Sequence, residues 1–181
     1  MKILHLNQHG ANVGGVEGYI SNVSRALSAA GHESTLVYFQ LDGPGNLLPG
    51  ATKLIASASL NRQIEQLVKV CDEFEPDVAF VHAVYDPKIV RWVANRLPTT
   101  AYVHGPYLVC PGNAQYLRVS NRACPYSAGA SCLLHAQTEL CCFSRNPIHH
   151  LRRLCDVRSH MAIYRELAIL VGSQFMKELL Q

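Results

Sequence analysis

The segment Gly14-Gly15-Val16-Glu17-Gly18 has the composition of a turn that binds an anion. It follows an apolar stretch at residues 2–6, which predicts a strand, and it opens an amphipathic stretch at residues 16–30, which predicts a helix. Glycine lets a ligand approach the backbone, and the amides of a helix N-terminus favour phosphate or carboxylate. The glycine spacing matches neither a dinucleotide fingerprint nor a P-loop. A tight turn that binds no ligand is the alternative.

Two histidines end apolar runs that predict buried strands. His82 ends the run at residues 77–82, and His104 ends the run at residues 99–104. In a parallel α/β sheet, ligands bind beyond the carboxyl ends of the strands, where a histidine can bind a hydroxyl, pair with phosphate or transfer a proton. Either histidine alone could equally have a capping or a packing role without a ligand. Two of them at equivalent strand ends beside the glycine turn favour a site.

The cysteines form a third group with chemical potential. The chain has seven, and five of them fall in a Gly- and Pro-containing excursion at residues 106–147. Four of these thiols, Cys110, Cys124, Cys132 and Cys141, are candidate ligands for Zn2+ or an iron–sulfur cluster, with His135 in reserve. The spacing lacks the paired C-x2-C of common zinc sites, so packed reduced thiols and disulfides stay open as alternatives. Cys71 and Cys155 lie in helical patterns, which predict small buried side chains.

The elements that would position these residues alternate between strand and helix. Further strands are predicted at residues 34–39 and 52–55, and a buried strand is predicted at residues 167–171. Helices are predicted at residues 60–75, 87–97 and 161–166, and another helix is predicted to begin at Gln174 with Ser173 as its cap. Residues 42–50 predict a loop. This alternation predicts an α/β fold, Rossmann-like and doubly wound around a mostly parallel sheet. We treat residues 1–181 as one domain interrupted by the Cys-rich excursion.

Composition narrows the function classes. The chain is 49% hydrophobic and 16% charged, with a net charge of +3, which indicates a globular protein and gives no support for nucleic acid as a partner. No signal peptide or membrane-spanning run is evident, which predicts a cytoplasmic location. The most basic segment, His149 to Leu154, predicts a solvated helix face; peripheral contact with anionic lipid at the inner membrane face is the alternative.

Several motifs in order resemble the N-terminal domain of family 4 glycosyltransferases. They are Gly14-Gly15-Val16-Glu17, Gly31-His32-Glu33, Pro76-Asp77-Val78 through His82, Thr100 to Gly105, and Val171-Gly172-Ser173-Gln174-Phe175. The resemblance spans nearly the whole chain. It implies the GT-B architecture, in which two Rossmann-like domains transfer a sugar from a nucleotide-sugar donor with retention, and in which the N-terminal domain mainly supplies the acceptor site.

The resemblance also implies roles for particular residues. Gly14 and Gly15 match the glycine loop that approaches the donor diphosphate or the acceptor, and Glu17 matches the polar position that follows. His104 matches a catalytic position near the transferred sugar. His82 matches a second cleft-facing position. Tyr85 and Asp86 are weaker candidates for acceptor contacts.

By the same resemblance, the nucleotide pocket and a pair of glutamates lie in a C-terminal domain that this sequence does not contain. We therefore expect residues 1–181 alone to be inactive, and the acceptor to be a saccharide, a lipid-linked sugar or a small molecule. The transfer reaction is expected to need no cofactor. A metal bound by the cysteines would be structural. The rival hypotheses are a stand-alone α/β module that binds a phosphorylated ligand or a partner through a metal- or redox-sensitive Cys region, and a nucleotide-sugar epimerase of the same architecture.

Overall fold

A computed structural model of the protein describes residues 1–11, 14–40, 47–48, 50, 52–53, 59–142, 144 and 146–181. The described elements, in chain order, are β1 (Lys2–His9), α1 (Gly15–Ala29), β2 (Glu33–Gln40), β3 (Thr52–Lys53), α2 (Leu60–Phe74), β4 (Val78–Val81), α3 (Pro87–Ala94), β5 (Thr99–Val103), a 3-10 helix (Pro106–Leu108), β6 (Tyr116–Leu117), β7 (Arg122–Ala123), α4 (Ser131–Thr138), α5 (Pro147–Tyr164), β8 (Ala168–Val171) and α6 (Gln174–Leu180). They fall into two compact units. The first holds residues 1–102 and 167–169, and the second holds residues 103–166 and 170–181.

The first unit is built on a six-stranded sheet with the order β3-β2-β1-β4-β5-β8. Strand β1 pairs in parallel with β2 on one side and with β4 on the other, and β4 pairs in parallel with β5. The chain therefore moves outward from β1 in one direction and resumes at β4 in the other. This reversal is the topological switch point of a doubly wound sheet, and it confirms the predicted α/β, Rossmann-like fold.

The centre of the sheet is covered on both faces, which explains its apolar sequence. Every residue of β1 from Ile3 to Gln8 is buried, as expected for a parallel strand between two others. Helix α1 packs Ile20 against Leu36 and Tyr38 of β2. Hydrophobic side chains buried in this unit also include Leu4, Leu6, Leu67, Ala79, Val81, Ile89, Val90, Val93 and Ala101.

Local signals in the sequence set most helix ends. Gly31 has a φ of +81°, and its amide and that of His32 donate to carbonyls of the last turn of α1, which is the geometry of a glycine cap. Pro87 occupies the first turn of α3, where its missing amide hydrogen has no helical partner to lose. Ser173 caps α6 by accepting a hydrogen bond from the Met176 amide at 3.2 Å.

The second unit contains the hairpin β6–β7 and the helices α4, α5 and α6. Helix α5 contacts both α4 and the 3-10 helix, which also contacts α6. Glu139, just after α4, holds the hairpin in place: its carboxylate accepts hydrogen bonds from the amide and hydroxyl of Ser120, and its carbonyl accepts from Arg118. The hydrogen bonds from Ser120 lower the pKa of Glu139.

Some predictions need correction. Strand β1 runs to His9, three residues further than predicted, because its end stays paired with both neighbours. The predicted helix at residues 161–166 is the end of the much longer α5. The strand at 167–171 was predicted to be buried but is partly exposed, because β8 lies at the edge of the sheet. Cys155 is exposed on α5 rather than buried.

Parts of two predictions, residues 42–46 and 49 of the loop and residues 54–55 of the following strand, lie outside the described residues. Within the described residues, no helix has both the length and the apolar character needed to cross a membrane.

We predict that Gly10→Ala destabilises the protein by roughly 1–3 kcal/mol, because a Cβ at this position would overlap the ring of the buried Tyr38. Gly18→Ala is the matched control, since a Cβ there meets no described atom within 4 Å and alanine favours a helix interior. Denaturant unfolding of both variants measures the difference. Equal stability of the two variants would contradict the packing described here.

Candidate functional site

The side chain of Asn7 joins three segments at the switch point. Its Nδ2 donates to Glu17 Oε1 at 2.8 Å and to the His9 carbonyl at 3.0 Å, and its Oδ1 accepts from the Ala83 amide at 3.2 Å. These bonds connect the end of β1, the first turn of α1 and the residues after β4. Asn7 is fully buried and Glu17 is 3% exposed, so both groups depend on each other for their hydrogen bonds.

The glycine turn lies beside Glu17, since a Cβ at Gly14 would stand 3.4 Å from Glu17 Oε2. Gly14 is the N-cap residue of α1, and Gly14 and Gly15 are both exposed. Because Gly14 contributes no side-chain acceptor, the first amides of the helix are left for water or a ligand. A Cβ at Gly15 would meet no described atom within 4 Å. The turn therefore offers backbone donors at the positive end of the helix dipole, as its sequence predicts.

His82 lies in the core instead of facing a ligand. It is fully buried, and its Nε2 is hydrogen-bonded to Nδ1 of His5 at 3.1 Å. The other ring nitrogen of His5 lies 3.3 Å from the hydroxyl of Ser24 on α1. Phe80 and Tyr19 pack around the His82 ring, with centroids 4.5 and 6.0 Å away. The expected ligand contact by His82 is not supported, because its side chain has no accessible surface.

The buried chain Ser24, His5, His82 links α1 to the two central strands. Burial lowers the pKa of His5 from 6.5 to about 4, so the ring is neutral at physiological pH. A neutral imidazole has one donor and one acceptor, which is the minimum needed to bond both neighbours. The network therefore fixes the helix that carries the glycine turn.

The two residues before α3 have different surroundings. Tyr85 is 57% exposed and is free to meet a ligand. Asp86 is the N-cap of α3, and its carboxylate accepts a hydrogen bond from the Lys88 amide at 2.9 Å. Helix capping accounts for an aspartate at this position, so the expected acceptor contact by Asp86 has no support in the geometry.

His104 belongs to the second unit. It is half-buried and follows β5 directly, at the start of the turn that leads into the 3-10 helix. Gly105 separates it from Pro106, the first residue of that helix. His104 therefore lies at a strand end with part of the residue exposed, which is compatible with the role that the sequence suggested.

The second unit also brings four predicted metal ligands to one place. Cys110, Cys124, Cys132 and Cys141 line a single small cavity, and all seven cysteines of the chain are free thiols. Burial, followed by the neighbouring thiols Cys110 and Cys124, raises the pKa of Cys132. Burial likewise raises the pKa of Cys142 to about 12.

The buried hydrogen bonds of His5, Asn7 and Ser24 were not predicted from the sequence. A signal was present, since His5 and Asn7 interrupt the apolar run of the most central strand, where an unpartnered polar group would be costly. Their partners Ser24, Glu17 and His82 are distant in sequence, so the pairing itself left no local pattern.

We predict that folding stability falls by roughly 3 kcal/mol between pH 6.5 and 4 through His5 alone. The pKa of His5 is lower in the folded state, so the unfolded chain binds more protons than the folded protein in this pH window. The contribution of neutral His5 to folding stability is therefore complete above pH 6.5 and is lost as the pH falls. Denaturant unfolding across this range, compared for the protein and His5→Asn, isolates the effect. His149→Ala, at an exposed position, is the control. An unchanged pH slope in His5→Asn would contradict this assignment.

Comparison with known proteins supplies the family. No curated protein matches the chain. The model of Glycosyltransferase Family 4 matches residues 13–180, which include the glycine turn, the residues after β4 and β5, and the cysteines. This match covers nearly the whole of both units and agrees with the doubly wound sheet and its switch-point turn. The chain belongs to glycosyltransferase family 4.

Proposed function

We propose that the full-length protein transfers a hexose from a nucleotide-sugar donor to a saccharide, lipid-linked or small-molecule acceptor, with retention of the anomeric configuration. Residues 1–181 supply the acceptor side, and a second domain of the GT-B architecture binds the donor nucleotide. The observation that carries this proposal is the exposed Gly14-Gly15 turn at the switch point of a family 4 domain.

The turn is suited to the negative charge that develops in glycosyl transfer. When the bond between the sugar and the diphosphate breaks, the leaving group gains negative charge and the sugar becomes oxocarbenium-like. Fixed amides at a helix N-terminus stabilise the growing negative charge without having to reorganise. The bonds of Asn7 to Glu17 and Ala83 hold those amides in place, and the His5 network anchors the same helix.

We assign the sugar itself to His104, through its carbonyl or imidazole. Either group can bind a sugar hydroxyl and support positive charge on the ring. Exposed Tyr85 is proposed to contact the acceptor, because tyrosine offers both an aromatic face and a hydroxyl to a carbohydrate. The role of His104 is proposed for the second unit, and the role of Tyr85 is proposed for the first unit.

We further propose a cytoplasmic location, supported by the seven free thiols, which are typical of a reducing compartment. Peripheral contact with anionic lipid would use α5, where His149, Arg152 and Arg153 are adjacent. The exposed Ile148 and Leu151 lie on the same helix.

We predict that Gly15→Ala lowers kcat/KM for the nucleotide sugar by about tenfold or more, because the added methyl group stands where a ligand approaches the amides. The protein has room for this methyl group, so the unfolding free energy should not fall. Gly18→Ala, one turn along the same helix, is the control and should keep normal turnover. An unchanged kcat/KM in Gly15→Ala would argue against ligand binding at the turn.

We predict that His104→Ala lowers kcat by about 100-fold or more while the folded structure is retained, because a group that supports the transition state is removed. Steady-state release of nucleoside diphosphate, measured with the acceptor present, gives kcat. Circular dichroism and thermal unfolding report on the fold, and His149→Ala serves as the histidine control. Turnover close to that of the unmodified protein would remove His104 from the mechanism.

A further inference from the structure

The second unit encloses a small cavity whose lining is dominated by sulfur. Its volume is about 20 Å³, and its walls include Cys110, Cys124, Cys132, Cys141 and the side chain of His135. The imidazole of His135 stacks on Tyr126, with ring centroids 4.5 Å apart. The thiols come from four separate stretches of chain, so a common cavity is not a consequence of local sequence.

Backbone contacts bring these stretches together. The Cys110 amide donates to the Pro106 carbonyl at 2.8 Å, and the Cys124 amide donates to the Gln115 carbonyl at 2.8 Å. The Cys132 amide donates to the Gly129 carbonyl at 3.0 Å, at the start of α4.

Gly112 explains how Cys141 joins the group. Its Cα lies so close to the Cys141 carbonyl and the Cys142 sulfur that a Cβ would overlap both. Only glycine therefore fits at this position, and the loop after Cys110 packs directly on the chain that carries Cys141.

Hydrophobic burial does little to order this region. Among the described residues from 109 to 142, the buried hydrophobic side chains are Leu117 and Ala136. Fixing the backbone of each residue costs about 1–2 kcal/mol of conformational entropy, which so small a core does not offset. Regions of this kind, rich in cysteine and poor in apolar side chains, are ordered by disulfides or by a bound metal. The free state of all seven thiols favours the metal.

We propose that Cys110, Cys124, Cys132 and Cys141 bind one Zn2+ ion as a tetrathiolate site that orders residues 106–142. Zinc prefers four thiolate ligands in a closed tetrahedral structural site. The cavity has room for a single small ion. Within the described residues, no three His, Cys, Asp or Glu side chains already stand in an arrangement that could hold a metal ion. Binding therefore requires the sulfurs to move towards one another from the positions they occupy here.

The test uses the full-length protein, expressed with zinc in the medium and purified under reducing conditions without chelator. We expect elemental analysis to give about one zinc per chain. Under native conditions the exposed Cys155 should react with a thiol reagent, and the four ligand thiols should react only after a strong chelator is added. Cys132→Ser should lose the zinc, while Cys155→Ser, an exposed cysteine on α5, should retain it.

Metal content and thiol protection are both read on the unmodified protein, so the test does not depend on whether Cys132→Ser folds. Seven thiols that react without chelator, with no bound metal, would overturn the proposal. Iron with sulfide in place of zinc would overturn the single-ion site, and cysteines that react only after reduction would indicate disulfides instead. None of these readouts involves sugar transfer, so the zinc site and the proposed function can fail separately.

Discussion

The hydrogen bonds of Asn7 are the constraint on which the candidate ligand site of the first unit depends. One buried amide group satisfies Glu17 of α1, the His9 carbonyl of β1 and the Ala83 amide after β4. A doubly wound sheet opens at its switch point, because the strands on either side lead to connections that diverge. Asn7 spans that point and sets where α1 begins, and so sets the position of its first amides.

The same strand carries a second polar anchor, which explains why the most buried strand of the sheet is not purely apolar. His5 is hydrogen-bonded to Ser24 of α1 and to His82 after β4. Helix α1 is therefore attached to β1 at two positions, Glu17 and Ser24. Polar side chains in such a place cost free energy unless they are fully bonded, and in return they specify a unique arrangement. The proposed role of the turn in glycosyl transfer depends on that arrangement, since preorganised amides stabilise charge better than mobile ones.

Sequence alone predicted the fold well but not the buried polar network beside the glycine turn, and the difference has a physical cause. Strand and helix periodicity, the Gly31 cap and the Ser173 cap are local properties, so the pattern of residues indicates them directly. The burial of His82 was not predicted, because a histidine after an apolar strand looks the same in sequence whether it faces a ligand or a buried partner. The clustering of the four thiols was proposed from their types, while their shared cavity depends on contacts such as that of Gly112, which no local spacing reveals.

A double-mutant cycle on Asn7 and Glu17 tests the central claim most directly. Asn7→Ala, Glu17→Ala and the double variant of the full-length protein would be compared in both the free energy of unfolding and kcat/KM for the proposed nucleotide-sugar donor. The account predicts a coupling energy of about 1 kcal/mol or more in each quantity, because the two groups act as one unit. Additive effects in stability and in kcat/KM would show that the bond does not organise the turn, and would contradict the account.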